Sequence, residues 1–180
     1  MSIALDKRMR AVVVMGVSGC GKTSIATALC AHIHAHMIEG DAFHPEHNIR
    51  KMEAGIPLTD ADRQGWLEAL GSELQRAAQG DAIVVLTCSA LKQRYRDTLR
   101  AALPGLGFVF LQLSPEEAGR RVAQRAHHFM PASLIDSQFR DLEPPIGEPQ
   151  VLTVDATEPT DVIVERIVQW WSTTASISQD

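Results

Sequence analysis

Gly16-Val17-Ser18-Gly19-Cys20-Gly21-Lys22-Thr23 follows Ala11-Val12-Val13-Val14-Met15 and precedes Ser24-Ile25-Ala26-Thr27-Ala28-Leu29-Cys30. The eight residues match G-x-x-x-x-G-K-[ST], the phosphate-binding loop, and both flanks supply the context that motif needs. The β-branched apolar run before it reads as a buried strand. The run after it reads as a helix with Ile25 and Leu29 on one face. Glycines let the backbone curl so that successive N–H groups point inward, beside the positive end of the helix. Residues 16–24 are therefore the candidates for holding ATP: Gly16, Val17, Ser18, Gly19, Cys20, Gly21, Lys22, Thr23 and Ser24. Lys22 reaches the β- and γ-phosphates, and the Thr23 hydroxyl is the expected Mg²⁺ ligand.

Outward from the loop, apolar runs alternate with helical patterns. Runs at 11–15, 37–41, 82–87, 108–113 and 151–155 predict strands; helices are predicted at 22–34, 60–79, 91–101, 115–126 and 159–172. Thr59 and Pro115 are start signals with acidic residues in the turns that follow, and Gly80 is a stop signal. Strands separated by helices imply crossover connections and a parallel sheet covered on both faces. The expected fold is α/β, a three-layer sandwich around a five-stranded parallel sheet, with residues 1–180 forming one domain.

Length and charge narrow the function. The chain has 180 residues, 45% of them hydrophobic, and a net charge of −5. That balance gives a proper core but no basic footprint for nucleic acid. No stretch approaches the ~20 apolar residues that span a bilayer. Cys20, Cys30 and Cys88 form no metal-type pair or disulfide framework, so a reducing, cytoplasmic setting is expected. Five of the seven histidines lie at 32, 34, 36, 44 and 47, without the spacing and further ligands of a zinc site. The arginines cluster, which suits small anionic ligands.

In open α/β sheets the ligand lies beyond the carboxyl ends of the strands. After the second run stands Glu39-Gly40-Asp41; on an extended chain both acids point to one side and face the Mg²⁺–phosphate site. The third run ends in Thr87-Cys88-Ser89 with no acid. Magnesium then rests on Thr23, phosphate oxygens and water, with Glu39 or Asp41 helping through water. That arrangement suits small-molecule kinases better than many ATPases and GTPases. Lys92 and Arg96 share a helix face at i, i+4, where a guanidinium can take a substrate carboxylate. Arg121 and Arg125 share another, on a segment able to close over ATP and neutralise transferring charge.

Several blocks together resemble a known family. These are residues 15–23, Glu39-Gly40-Asp41-Ala42-Phe43-His44-Pro45, Asn48, Lys51-Met52, residues 55–63, Trp66-Leu67, Cys88-Ser89-Ala90-Leu91-Lys92, Tyr95-Arg96-Asp97, and the stretch from His128-Phe129-Met130 to Ser137-Gln138-Phe139. They are similar to gluconokinase of the thermoresistant, phosphate-loop type, a relative of shikimate kinase with a nucleoside-monophosphate-kinase-like fold. The resemblance runs from about Val13 to the final helix. It implies ATP- and Mg²⁺-dependent phosphorylation of D-gluconate to 6-phosphogluconate, a lid at about 120–140, and a homodimer. It places Lys22, Asp41, Arg121 and Arg125 in catalysis, with both arginines also on ATP. Asp41 contacts the substrate hydroxyl, and His44, Lys51, Arg63, Lys92, Arg96 and His128 join it in binding the substrate. His127 stands where glycine commonly precedes the His-Phe pair. Composition and periodicity alone leave open a kinase for another hydroxy acid such as shikimate, a nucleotide kinase, or a non-catalytic nucleotide-binding module.

Overall fold

A computed structural model describes residues 9–124 and 131–174. In chain order the elements are β1 (Ala11–Met15), α1 (Lys22–Ile33), β2 (His36–Glu39), α2 (Glu46–Glu53), α3 (Asp60–Ala77), β3 (Val84–Thr87), α4 (Gln93–Ala102), β4 (Gly107–Gln112), α5 (Pro115–Ala123), α6 (Ile135–Asp141), β5 (Val151–Asp155) and α7 (Thr160–Thr174). Short 3-10 turns occupy Gly40–Phe43 and Ala132–Leu134.

Every residue of β1 and β3 is buried, as are the first five of β4. Because successive side chains point to opposite faces, unbroken burial means that both faces of the sheet are covered. The five strands are all parallel, in the order β2-β3-β1-β4-β5. β1, which feeds the phosphate loop, is thus central. α1 packs with α7, and α3 with α4. Leu29, Leu70, Leu74, Phe108 and Trp171 are fully buried in one continuous core. The Trp171 indole N–H donates to the Met9 carbonyl at 2.8 Å, so the core has no orphaned donor there.

Local signals explain the helix starts. Thr59 and Asp62 form a reciprocal capping box at α3: Thr59 Oγ1 accepts from the Asp62 N–H at 3.1 Å, and Asp62 Oδ2 from the Thr59 N–H at 2.8 Å. Ser114 caps α5, with Pro115 at its first position. Gly80 lies three residues beyond α3, which already ends at Ala77.

Three details differ from the sequence reading. The second strand stops at Glu39, and the chain enters a 3-10 turn at Gly40. A Cβ at Gly40 would lie 2.0 Å from the Thr87 carbonyl oxygen, so the close approach of β2 and β3 admits only glycine. Second, α2 and α6 are helices that no periodic pattern announces. Third, α4 begins at Gln93, two residues later than expected, because Lys92 is still extended. The last residues of the helix expected over 115–126 lie partly outside the described residues.

Candidate active site

The phosphate loop starts at the end of the central strand, where Gly16 takes φ 143°, a conformation that side chains disfavour. Gly21, at φ 94°, turns the chain into α1. α1 has no acidic residue in its first turn and no side-chain cap, so its N–H groups and dipole are left for an anion. α3 and α5, which have no such task, carry two acids each in that turn. Lys22 folds back over the loop and donates to the Gly16 and Val17 carbonyls, each at 3.0 Å. Cys20 is buried within the loop. Cys88 is buried too, and desolvation pushes its thiol up to about 12.

The acid missing from the end of β3 comes from its neighbour. Glu39 pairs in register with Thr87. Its Oε1 accepts from the Thr87 hydroxyl at 2.6 Å and its Oε2 from the Thr23 hydroxyl at 3.0 Å. Thr23 thus presents its oxygen with the proton turned toward a carboxylate. That donor set is all oxygen, which fits a hard cation held mainly by phosphate oxygens. Among the described residues, no group of three His, Cys, Asp or Glu forms a metal cage. The two acids therefore part company: Glu39 faces Thr23, whereas Asp41, carried round by the 3-10 turn, lines a cleft beside the loop.

That cleft is bounded by Ser18 and Lys22 from the loop, by Asp41 and His44, by Arg63 and Trp66 from α3, and by Gln138 from α6. Trp66 anchors it: its indole N–H donates to the Gly40 carbonyl at 2.8 Å, and its ring stacks on His44 with centroids 4.0 Å apart. Burial first, and then the Arg63 charge, push the His44 pKa from 6.5 to about 4, so this imidazole is neutral at pH 7. The Asn48 amide nitrogen donates to the Asp62 carbonyl at 2.9 Å and lies 3.3 Å from His44 Nδ1. That network assigns the imidazole proton to Nε2, 3.9 Å from Asp41 Oδ1.

Arg63 is buried. Its Nη1 donates to the Tyr95 hydroxyl at 3.0 Å and to Asp141 Oδ2 at 3.2 Å. Among the described residues its Nε and Nη2 make no hydrogen bond, and the side chain lines the cleft. It is a cation with donors to spare on a cleft that Asp41 also lines.

Other residues expected at the substrate are placed elsewhere. Arg96 corrects the sequence reading. It is fully buried, and all its donors are taken: Nε and Nη2 by Glu148 at 2.9 and 2.6 Å, Nη1 by the Ala90 and Leu91 carbonyls, Nη2 also by the Glu143 carbonyl. It holds the 143–148 loop to α4 and does not line the cleft. Lys51 pairs with Asp62 at 2.7 Å, and Lys92 with Asp60 at 2.9 Å. Hydrogen bonds from Tyr95 and Lys92 bring Asp60 down to about 2; those from Lys51 and Thr59 do the same for Asp62. Neither lysine lines the cleft. Arg121 borders a second cavity on the far end of the loop, with Gly21, Ser24, Ala156 and Glu158. Its Nε donates to Glu117 at 3.0 Å and its Nη2 to the Ala156 carbonyl at 3.2 Å. Arg125, His127 and His128 lie outside the described residues.

Sequence reasoning gave no role to Trp66, Tyr95, Gln138 or Asp141. Trp66, Tyr95 and Gln138 stand in the blocks that carry the resemblance; Asp141 had no signal at all.

A central strand feeding a complete phosphate loop, an uncapped helix behind it and an acid–cation cleft beside it define a phosphate-loop kinase. A family model described as "AAA domain" matches residues 12–145. The gluconokinase of Gluconobacter oxydans (strain 621H) is 44% identical over 160 residues, 89% of this chain and 90% of that one. The thermoresistant gluconokinase of Escherichia coli (strain K12) is 37% identical over 87% of this chain and 90% of its own. The crystal structure of a gluconokinase from Sinorhizobium meliloti 1021 superposes with a TM-score of 0.83 at 45% identity, covering 93% of this chain and 94% of that one. The chain belongs to the gluconokinase family.

Proposed function

We propose that this protein transfers the γ-phosphoryl group of ATP to D-gluconate, forming 6-phospho-D-gluconate. One observation carries the reading: Lys22 of the phosphate loop and the Asp41 carboxylate line a single cleft, with Arg63 on its wall. The family relationship names gluconate as the acceptor.

Phosphoryl transfer is mostly a matter of positioning and charge stabilisation. The loop amides other than that of Ser18, with the α1 N-terminus, cradle the β- and γ-phosphates. Lys22 exchanges two carbonyls for phosphate oxygens, a small movement of a charge already beside them. Mg²⁺, when bound, supplies charge neutralisation; Thr23 Oγ1 is the residue that would hold it, with Glu39 accepting the hydroxyl proton. Asp41 orients the primary hydroxyl of gluconate in line with the γ-phosphate. A carboxylate is too weak a base to deprotonate an alcohol outright, so Asp41 accepts the proton late. Neutral His44 donates from Nε2, next to Asp41, without adding charge. Arg63 offers Nε and Nη2 to the gluconate carboxylate, a bidentate geometry lysine cannot provide. Arg121, and Arg125 beyond it, serve the nucleotide side. We read the whole chain as one kinase domain with a lid at about 120–140.

The test is ADP release measured against D-gluconate, shikimate, nucleosides and nucleoside monophosphates. Turnover should depend on gluconate. Turnover on shikimate instead would reassign the acceptor, and ATP binding without acceptor-dependent release would overturn catalysis altogether.

A further inference from the structure

The Ser18 N–H, in the third position of the phosphate loop, donates to Gln138 Oε1 at 2.7 Å, in a buried contact spanning 120 residues of sequence. One turn further along α6, Asp141 accepts from Arg63. Residues at i and i+3 share a helix face, so a single face of α6 touches both the phosphate loop and the cation on the acceptor wall. Leu134, just before α6, is buried in a small apolar cluster with Met52 and Leu58. The acceptor cleft thus has a wall whose polar contacts run to the two sides of the reaction.

Resting on the kinase reading above, we propose that Gln138 is a positioning residue for phosphoryl transfer: its side-chain carbonyl holds the phosphate loop in register with the acceptor wall and so keeps water from the γ-phosphate. A main-chain amide has one hydrogen to give. With that hydrogen on Gln138, the Ser18 peptide is fixed in orientation, and the loop and α6 shift only together. Sliding α6 away would break this buried hydrogen bond, a loss that folded proteins avoid. The residue type also matters. A neutral amide accepts the bond without setting a negative charge beside phosphates, as glutamate would. A kinase whose acceptor wall parts from the loop admits water as a competing nucleophile, so register between the two is what excludes hydrolysis.

The experiment compares ADP released without gluconate with ADP released in its presence, in wild type and in Gln138→Met, which keeps length and bulk but removes the side-chain amide with its acceptor atom. The ratio should rise about three- to tenfold in the variant, the scale of one lost hydrogen bond. An unchanged ratio in the folded variant overturns the proposal, whatever happens to kcat, because a merely structural role would lower both rates together. Should Gln138→Met fail to fold, Gln138→Asn is read identically, its amide stopping one carbon short of Ser18. Wild-type protein lacking gluconate-dependent turnover would instead sink the activity itself, a separate and visible failure.

Discussion

Arg63 and Arg96 are both buried, on α3 and α4, helices that pack against each other. Composition, charge and burial do not tell them apart. Their donors do. Arg96 has every N–H engaged by Glu148 and main-chain carbonyls, which makes it a fastener for the 143–148 loop. Among the described residues Arg63 hydrogen-bonds only through Nη1, and its side chain lines the cleft. The lesson is that a buried cation is read by what its donors have left over, because a satisfied guanidinium has nothing to offer a ligand.

The largest expected effect is on the satisfied member of the pair. Arg96→Met leaves Glu148 with Arg100 as its remaining ion-pair partner and removes a donor from three carbonyls, of which that of Leu91 keeps the Glu143 N–H at 2.8 Å. Removing one side of a buried pair costs about 3–5 kcal/mol, so urea denaturation should show that loss. The KM for gluconate of the remaining folded protein should hold. A raised KM with unchanged stability would merge the two arginines into one class.

The next effect is on pH dependence, and it ties back to Arg63. His44 has a pKa of about 4 when folded against an ordinary 6.5, through burial and the Arg63 charge. The unfolded chain binds this proton more readily, so its contribution is full above about pH 6.5 and is lost as pH falls toward 4. The shift corresponds to about 3 kcal/mol. His44→Gln should therefore be less acid-sensitive than wild type over that window, measured by denaturation at several pH values. In Arg63→Met the His44 titration followed by NMR should move upward; a stationary midpoint would remove Arg63 as a cause.

The smallest effect concerns turnover. Arg63→Met removes the free donors and should lower kcat/KM for gluconate about 30-fold, the scale of charge-assisted hydrogen bonds to a carboxylate, with ATP affinity retained. An equal loss with acceptors that lack a carboxylate would show that Arg63 only shapes the cleft.

Legibility followed the range of the interactions involved. The five strands, α1, the start of α3 at Thr59 and the start of α5 at Pro115 were readable because each signal lies within a few residues of what it specifies. α2 and α6 were not. α2 offers only Ile49 and Met52 as apolar residues, and α6 is seven residues long, too short for a period to show. Glu39 and Asp41 were expected to face one way, as alternate residues on a strand do. The turn at Gly40 separates them, and it starts where Thr87 on another strand comes so close that only glycine fits.

By itself, then, the sequence determined that a phosphate-binding loop joins a buried strand to a bare helix N-terminus, since loop, strand and helix are contiguous. It also determined which acids and cations were available nearby. Tertiary structure alone decided their division of labour. Glu39 came to Thr23, Arg63 to the cleft, Arg96 to the fold and Gln138 to the loop. The reason is physical: a charged or amide side chain takes its role from its hydrogen-bond partners, and for these four one such partner lies 16, 32, 52 or 120 residues away along the chain.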